Sequence, residues 1–169
     1  MSILRRLNLE NRYYFVTQTI EDRKKIFLDE NNVKILKEDF NYYINKYKAG
    51  IIAYVIMPEH LHFIIRVIGK YDLSNYMYDF KIHTAKKINI RLGSSGQLWQ
   101  KRFYDHVIRN EEDFIKHIDY IYYNPVKHNL VSRSEDYNNS TYKLFVKKGY
   151  YELGWGYREP GVLRNYNLE

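Results

Sequence analysis

The sequence predicts an α+β domain: a four-stranded antiparallel sheet with two helices on one face and a third helix on the other. Three observations carry that reading. Strand-like and helix-like stretches follow the order β-α-β-β-α-β-α along the 169 residues. The second and third strands are nearly contiguous, separated only by Pro58-Glu59, so they should pair as neighbours. The last helix falls after the fourth strand, outside the repeated unit, and is available to cover the opposite face. The order is that of a ferredoxin-like, split βαβ fold.

Each element has a local cause. Residues 13–20 (YYFVTQTI) are aromatic and β-branched and read as the first strand. Residues 31–48 place Val33, Leu36, Phe40, Tyr43, Ile44 and Tyr47 three and four apart, the spacing of an amphipathic helix. Gly50 should close it, as glycine often does past a helix end. Residues 51–57 and 60–67 are the second and third strands. A turn over residues 69–72 leads to Asp72 or Ser74 as the cap of a long helix over 73–92. Gly93-Ser94-Ser95-Gly96 is a loop, and residues 98–108 alternate well enough for a fourth strand, with Trp99 and Phe103 on its core face. The third helix covers 111–123, with Glu111, Glu112 and Asp113 at the end that favours negative charge, and Asn124-Pro125 stops it. The chain reads as one domain, 1–169, with residues 1–12 and 156–169 as flexible tails.

Composition narrows the function. The net charge is +7, from 27 Lys and Arg against 20 Asp and Glu. That balance favours a polyanionic partner. Nineteen tyrosines, many beside lysine or arginine, suit stacking and phosphate neutralisation on single-stranded nucleic acid; a plain bias toward tyrosine explains them equally well. The absence of cysteine excludes disulfides and thiolate metal sites and fits a cytoplasmic protein. No stretch approaches the ~18 apolar residues of a membrane span, and the N-terminus lacks the apolar region of a secretory signal.

The chemistry-bearing residues lie in two places. His60 and His62 stand at i and i+2 in the third strand, so both imidazoles leave the same face of the sheet. On a helical wheel at ~100° per residue, Phe114, Ile115, Ile118, Ile121 and Tyr122 share one arc of the third helix, the core-facing one. Asp113, His117, Tyr120 and Asn124 share another, which places Tyr122 in the core and Tyr120 outside it. Asn124 offers a neutral oxygen ligand. Two imidazoles and an amide oxygen with open positions suit a hard divalent ion, Mg²⁺ or Mn²⁺, that must still bind phosphate oxygens. Tyr120 offers a phenolic nucleophile. Glu59 can orient one histidine. Lys81, Lys86, Lys87 and Arg91, with Lys101, Arg102 and Lys127, are candidate phosphate contacts; a solvated surface explains them as well. His83, His106, His117 and His128 read as structural or solvent-facing.

These residues carry a resemblance. His60-Leu61-His62 has the His-hydrophobe-His form of the HUH endonucleases. The runs from Trp99 to His106 and from Asp119 to His128 (DYIYYNPVKH) resemble the single-tyrosine HUH transposases, and among them the REP-associated tyrosine transposases. The resemblance extends from about Tyr13 to Trp155. It implies that His60, His62 and Asn124 are metal ligands and that Tyr120 attacks single-stranded DNA beside hairpins. Cleavage would leave a 5′-phosphotyrosine link and a 3′-OH, and the reverse attack would rejoin strands. It further implies a nucleoid-associated, bacterial-type protein acting as a monomer or a homodimer. The short connection from Val107 to Glu111 favours a helix used within its own chain. A non-catalytic hairpin-binding protein descended from such an enzyme is the alternative. A metal-dependent hydrolase of small molecules is disfavoured by the charge.

Overall fold

The computed structural model describes residues 12–68, 71–164 and 166. Its strands are β1 (Arg12–Thr19), β2 (Gly50–Ile56), β3 (His60–Val67) and β4 (Tyr104–Val107). They form one sheet in the order β2-β3-β1-β4, with every neighbouring pair antiparallel. This is the ferredoxin-like order expected from the sequence. β3 lies inside the sheet and is covered on both faces, so it reads as a nearly unbroken apolar run. Only His60, His62 and Arg66 interrupt it.

The two faces separate by the period-two rule. On one, Leu61, Phe63 and Ile65 of β3 and Val16 of β1 pack against α1 (Glu30–Tyr47) and α2 (Leu73–Leu92), chiefly through Leu36, Phe40, Phe80 and Ile88. On the other, Phe15, Ala53, Val55 and Ile64 pack against α3 (Glu111–Lys127) through Phe114, Ile118, Ile121 and Tyr122. His60 and His62 open onto this second face. Each long helix starts on a side chain that accepts from a backbone amide two or three residues on: Asp29 from Asn31, Asp72 from Asn75 and Asn110 from Asp113.

Several boundaries differ from the sequence expectation. Lys48, not Gly50, ends α1; it adopts the left-handed conformation at φ 49°, and Gly50 is already the first residue of β2. The fourth strand is four residues rather than eleven. Residues before it touch the sheet through a single bridge, Trp99 to Ile20, because Lys81 of α2 takes the carbonyls of Gln100 and Lys101 away from the ladder. Trp99 is buried all the same and Phe103 packs against the same core, so the alternation marked burial and not strand. α3 runs through Pro125 to Lys127. Proline removes one amide donor near the helix end, and the turn still closes, with His128 N–H donating to Asn124 O and Leu130 N–H to Pro125 O.

Beyond α3 lies a short helix with no strong periodicity in the sequence, α4 (Tyr142–Lys147). The chain between α3 and α4 docks on the β2 edge: Ile56 N–H donates to Asn139 O, Thr141 N–H to Tyr54 O, and Tyr137 Oη to Ile56 O. In the expected C-terminal tail, Leu163 is buried and Tyr166 reaches back to α3. The expected N-terminal tail up to Asn11, residues 69–70 of the expected turn, and residues 165 and 167–169 lie outside the described residues.

Candidate active site

The strand register sets the site. Thr17 of β1 stands directly opposite His62, and its Oγ1 is 2.7 Å from His62 Nδ1. Glu59, just before β3, accepts from His60 Nδ1 at 3.2 Å. That hydrogen bond holds the Glu59 carboxyl below the usual carboxylate range, against the opposing effect of burial. A His60 that donates from Nδ1 carries its lone pair on Nε2. The two imidazoles meet edge to face at 4.7 Å, and both Nε2 atoms are withdrawn from solvent.

α3 supplies the rest. The Tyr120 ring meets the His62 ring edge-on at 5.3 Å and the Phe15 ring at 6.0 Å. Lys127 Nζ stands 5.1 Å from the Tyr120 ring centre. Two turns after Tyr120, the His128 ring lies 5.9 Å from that of His60. Asn124, midway between and on the same helical face, is fully buried, Oδ1 included. One end of this face thus rests on His62 and the other on His60. His60, His62 and Tyr120 come together within one chain, with Asn124 buried one turn on from Tyr120 along α3.

Two wheel positions differ from expectation. Tyr120 is only 2% exposed and belongs to the core beneath α3, because the face it shares with Asn124 is buried along with the face of Phe114, Ile118 and Ile121. Ile115, placed in the core by the wheel, is 37% exposed. The donor set fits a hard divalent ion: two imidazole nitrogens, each with its ring turned by a partner on Nδ1, and one amide oxygen. Thr17 was not visible as a site residue. Its signal was its place on the alternating face of β1, which becomes legible only once the β1–β3 register is known.

The basic candidates divide. Lys81, Lys86, Lys87 and Arg91 lie on α2, across the sheet from the histidines. Lys81 Nζ donates to the carbonyls of Gln100 and Lys101 at 2.7 and 2.9 Å, and burial lowers its pKa. Lys87 pairs with the buried Asp39, and Arg91 with Asp29 and Asn32. Lys86, Lys101 and Arg102 are exposed. Lys127 alone of the set stands at Tyr120.

A second group of potential ligands, His106 of β4 with Asp113 and His117 of α3, lies where β4 meets the start of α3. Its geometry is that of a brace. Asp113 accepts from His106 Nε2 at 2.8 Å and from Arg109 N–H at 3.0 Å. His117 Nδ1 donates to Asp113 O, and its Nε2 accepts from Tyr166 Oη at 2.9 Å. The His106 and His117 rings stack 4.6 Å apart at 17°, and His106 Nε2 and both nitrogens of His117 are already engaged in these hydrogen bonds.

The chain is similar to known proteins. The family model described as "Transposase IS200 like" matches residues 8–124, a span that includes all four residues of the site. The REP-associated tyrosine transposase of Escherichia coli (strain K12) is 31% identical over 162 residues, covering 92% of this chain and 91% of that one. The solved structure of a REP-associated tyrosine transposase bound to a REP hairpin superposes with a TM-score of 0.77 at 30% identity, covering 96% of each chain. A structure from Deinococcus radiodurans shares the fold at 14% identity, with a TM-score of 0.52 over 62% of this chain and 85% of that one.

Proposed function

Because the chain belongs to the IS200-like transposase family and, within it, to the REP-associated tyrosine transposases, we propose that it nicks single-stranded DNA beside a hairpin and rejoins strands, with Tyr120 as nucleophile. The observation that carries this reading is the edge-on contact of Tyr120 with His62, which sets a phenol against the imidazole pair. His60 Nε2, His62 Nε2 and Asn124 Oδ1 are the atoms that would hold a divalent ion, Mg²⁺ or Mn²⁺. Such an ion supplies charge neutralisation at the phosphoryl oxygens, which otherwise repel an anionic attacker. Glu59 and Thr17 hold the two imidazoles in orientation.

The residues of the chain account for the remaining steps. Tyr120 Oη bonds to phosphorus, the bond to the 3′ oxygen breaks, the phenolic proton leaves and the released 3′-OH gains one. The Lys127 ammonium, close above the Tyr120 ring, stabilises negative charge that develops on the phenol. In the reverse step a 3′-OH attacks the phosphotyrosine and the phenolate departs, so the strand is rejoined without another energy source. Both halves of the site lie on one chain, which supports a tyrosine used in cis. The site of action is then DNA in the cytoplasm; among the described residues no helix is long and apolar enough to cross a membrane.

The 2% exposure of Tyr120 favours one other reading, a protein that binds hairpin DNA without cutting it. A single assay separates the two. The protein is incubated with Mn²⁺ or Mg²⁺ and labelled single-stranded hairpin DNA, and denaturing gels are read for a protein–DNA adduct. The nicking enzyme gives an adduct that Tyr120→Phe abolishes while hairpin binding survives. An adduct that persists in Tyr120→Phe overturns the choice of nucleophile, and bound hairpin that never yields an adduct supports the binding protein.

A further inference from the structure

A cavity of about 520 Å³ opens on the outer flank of α3, where the segment after α4 crosses the helix. That size is within the ~300–1,000 Å³ of small-ligand sites. Its walls include the rings of Tyr150, Tyr151, Trp155 and Tyr157, and α3 contributes Ile115 and Asp119. Asp119 is 8% exposed, a carboxylate more than nine-tenths buried at an aromatic slot. Its Oδ1 accepts from Tyr151 Oη at 2.5 Å, and the Tyr151 ring meets Trp155 edge-on at 4.7 Å. Burial raises the Asp119 carboxyl to about 6, with the Tyr151 hydrogen bond working the other way. No cation is paired with it among the described residues. The mechanism above uses none of these groups.

A buried carboxylate can accept about four hydrogen bonds, and Tyr151 supplies one. Aromatic walls select a flat, stackable ligand. Among the DNA bases, guanine alone presents two adjacent N–H donors, N1–H and N2–H, to a single carboxylate. Adenine and cytosine set a lone pair beside their amine, which faces the carboxylate unfavourably, and thymine offers one N–H between two carbonyls. We propose that this cavity takes up an unpaired guanine of single-stranded DNA, with Asp119 accepting from N1–H and N2–H while the ring stacks on the aromatic walls. Asp119 and Tyr120 are consecutive on α3, so a guanine seated there sets the register of the strand against the nucleophile.

The inference rests on the reading of the chain as a protein that handles unpaired DNA. Its test uses free nucleotides and no metal, so it stands or falls apart from nicking. In full-length Trp99→Phe protein, Trp155 is the only tryptophan and reports on the cavity. Its fluorescence is followed during titration with dGMP, deoxyinosine monophosphate, dAMP, dCMP and dTMP. The expected result is quenching by dGMP with an affinity about tenfold or more above the other four, deoxyinosine monophosphate included because it lacks the 2-amino group. Asp119→Asn should erase that preference. Ile115→Trp, which fills the cavity from α3 without altering Asp119, should abolish dGMP binding, read by calorimetry, if Asp119→Asn does not fold. Equal quenching by all five nucleotides, no response to any, or a guanine preference that survives in folded Asp119→Asn or Ile115→Trp each overturns the proposal.

Discussion

At the scale of single residues, the site depends on which nitrogen of each histidine is engaged. Thr17 Oγ1 at 2.7 Å and Glu59 Oε1 at 3.2 Å hold the two Nδ1 atoms and turn the Nε2 atoms toward α3. Thr17→Val keeps the shape of the side chain and removes this partner of His62. Mn²⁺ affinity measured by calorimetry should fall by about 10- to 100-fold, the usual effect of losing a group that orients a metal-bound histidine. Unchanged affinity would remove His62 Nε2 from the ligand set. His60, His62, Tyr120 and Asn124 were legible because their spacings, two along a strand and four along a helix, are local and survive without knowledge of the fold. Thr17 and the burial of Tyr120 were not. One requires the pairing of strands far apart in sequence, and the other requires knowing which face of α3 turns inward when both faces carry large side chains.

At the scale of elements, the sequence gives type and order more surely than ends. β3 and α2 fall where the sequence puts them, β3 as a nearly unbroken apolar run and α2 between its Asp72 cap and Gly93. β4 shrinks to Tyr104–Val107 because Lys81 competes for the carbonyls of the preceding segment, a contact between α2 and a loop that no local pattern announces. α3 outruns its expected stop because the ring of Pro125 sits where only the last turn remains to be closed. The end of α1 gives a direct test. Lys48 adopts φ 49°, a conformation costly for any residue with a Cβ. Lys48→Gly should stabilise the protein by about 1 kcal/mol in urea unfolding. A loss of stability instead would mean that the Lys48 side chain does more for the helix end than its backbone strain costs.

At the scale of the whole molecule, the excess of positive charge does not mark one surface. Lys81, Lys87 and Arg91 fasten α2 to α1 and to the loop before β4, and among the described residues only Lys127 stands over the candidate nucleophile. Two substitutions separate the roles. Lys87→Met leaves Asp39, 1% exposed, with Thr84 as its remaining polar contact. It should cost about 1–2 kcal/mol of stability, discounted for the half-exposed lysine, and leave hairpin affinity unchanged. Lys127→Ala should weaken hairpin binding with little change in stability and reduce its salt dependence by about one ion. The reverse pattern would return α2 to the DNA-binding surface. The tyrosines follow the same division. Tyr122, Tyr137, Tyr142 and Tyr151 hydrogen-bond across the layer around α3, so much of the tyrosine content is structural. This has a spectroscopic consequence. Burial raises the phenols of Tyr43, Tyr137, Tyr142 and Tyr166 to about 12, and those of Tyr76, Tyr122 and Tyr151 further still. The folded chain therefore keeps protons that the unfolded chain releases near pH ~10. The stability this contributes is complete below that pH and drains away as the pH climbs toward 12. Alkaline titration followed by phenolate absorbance should show a late, cooperative component that coincides with loss of helical circular dichroism. Helical signal that survives complete ionisation of the tyrosines would contradict it. Where ionisation and loss of helix coincide, the aromatic layer over α3 acts as an alkaline fuse, giving way as a unit when its phenols ionise.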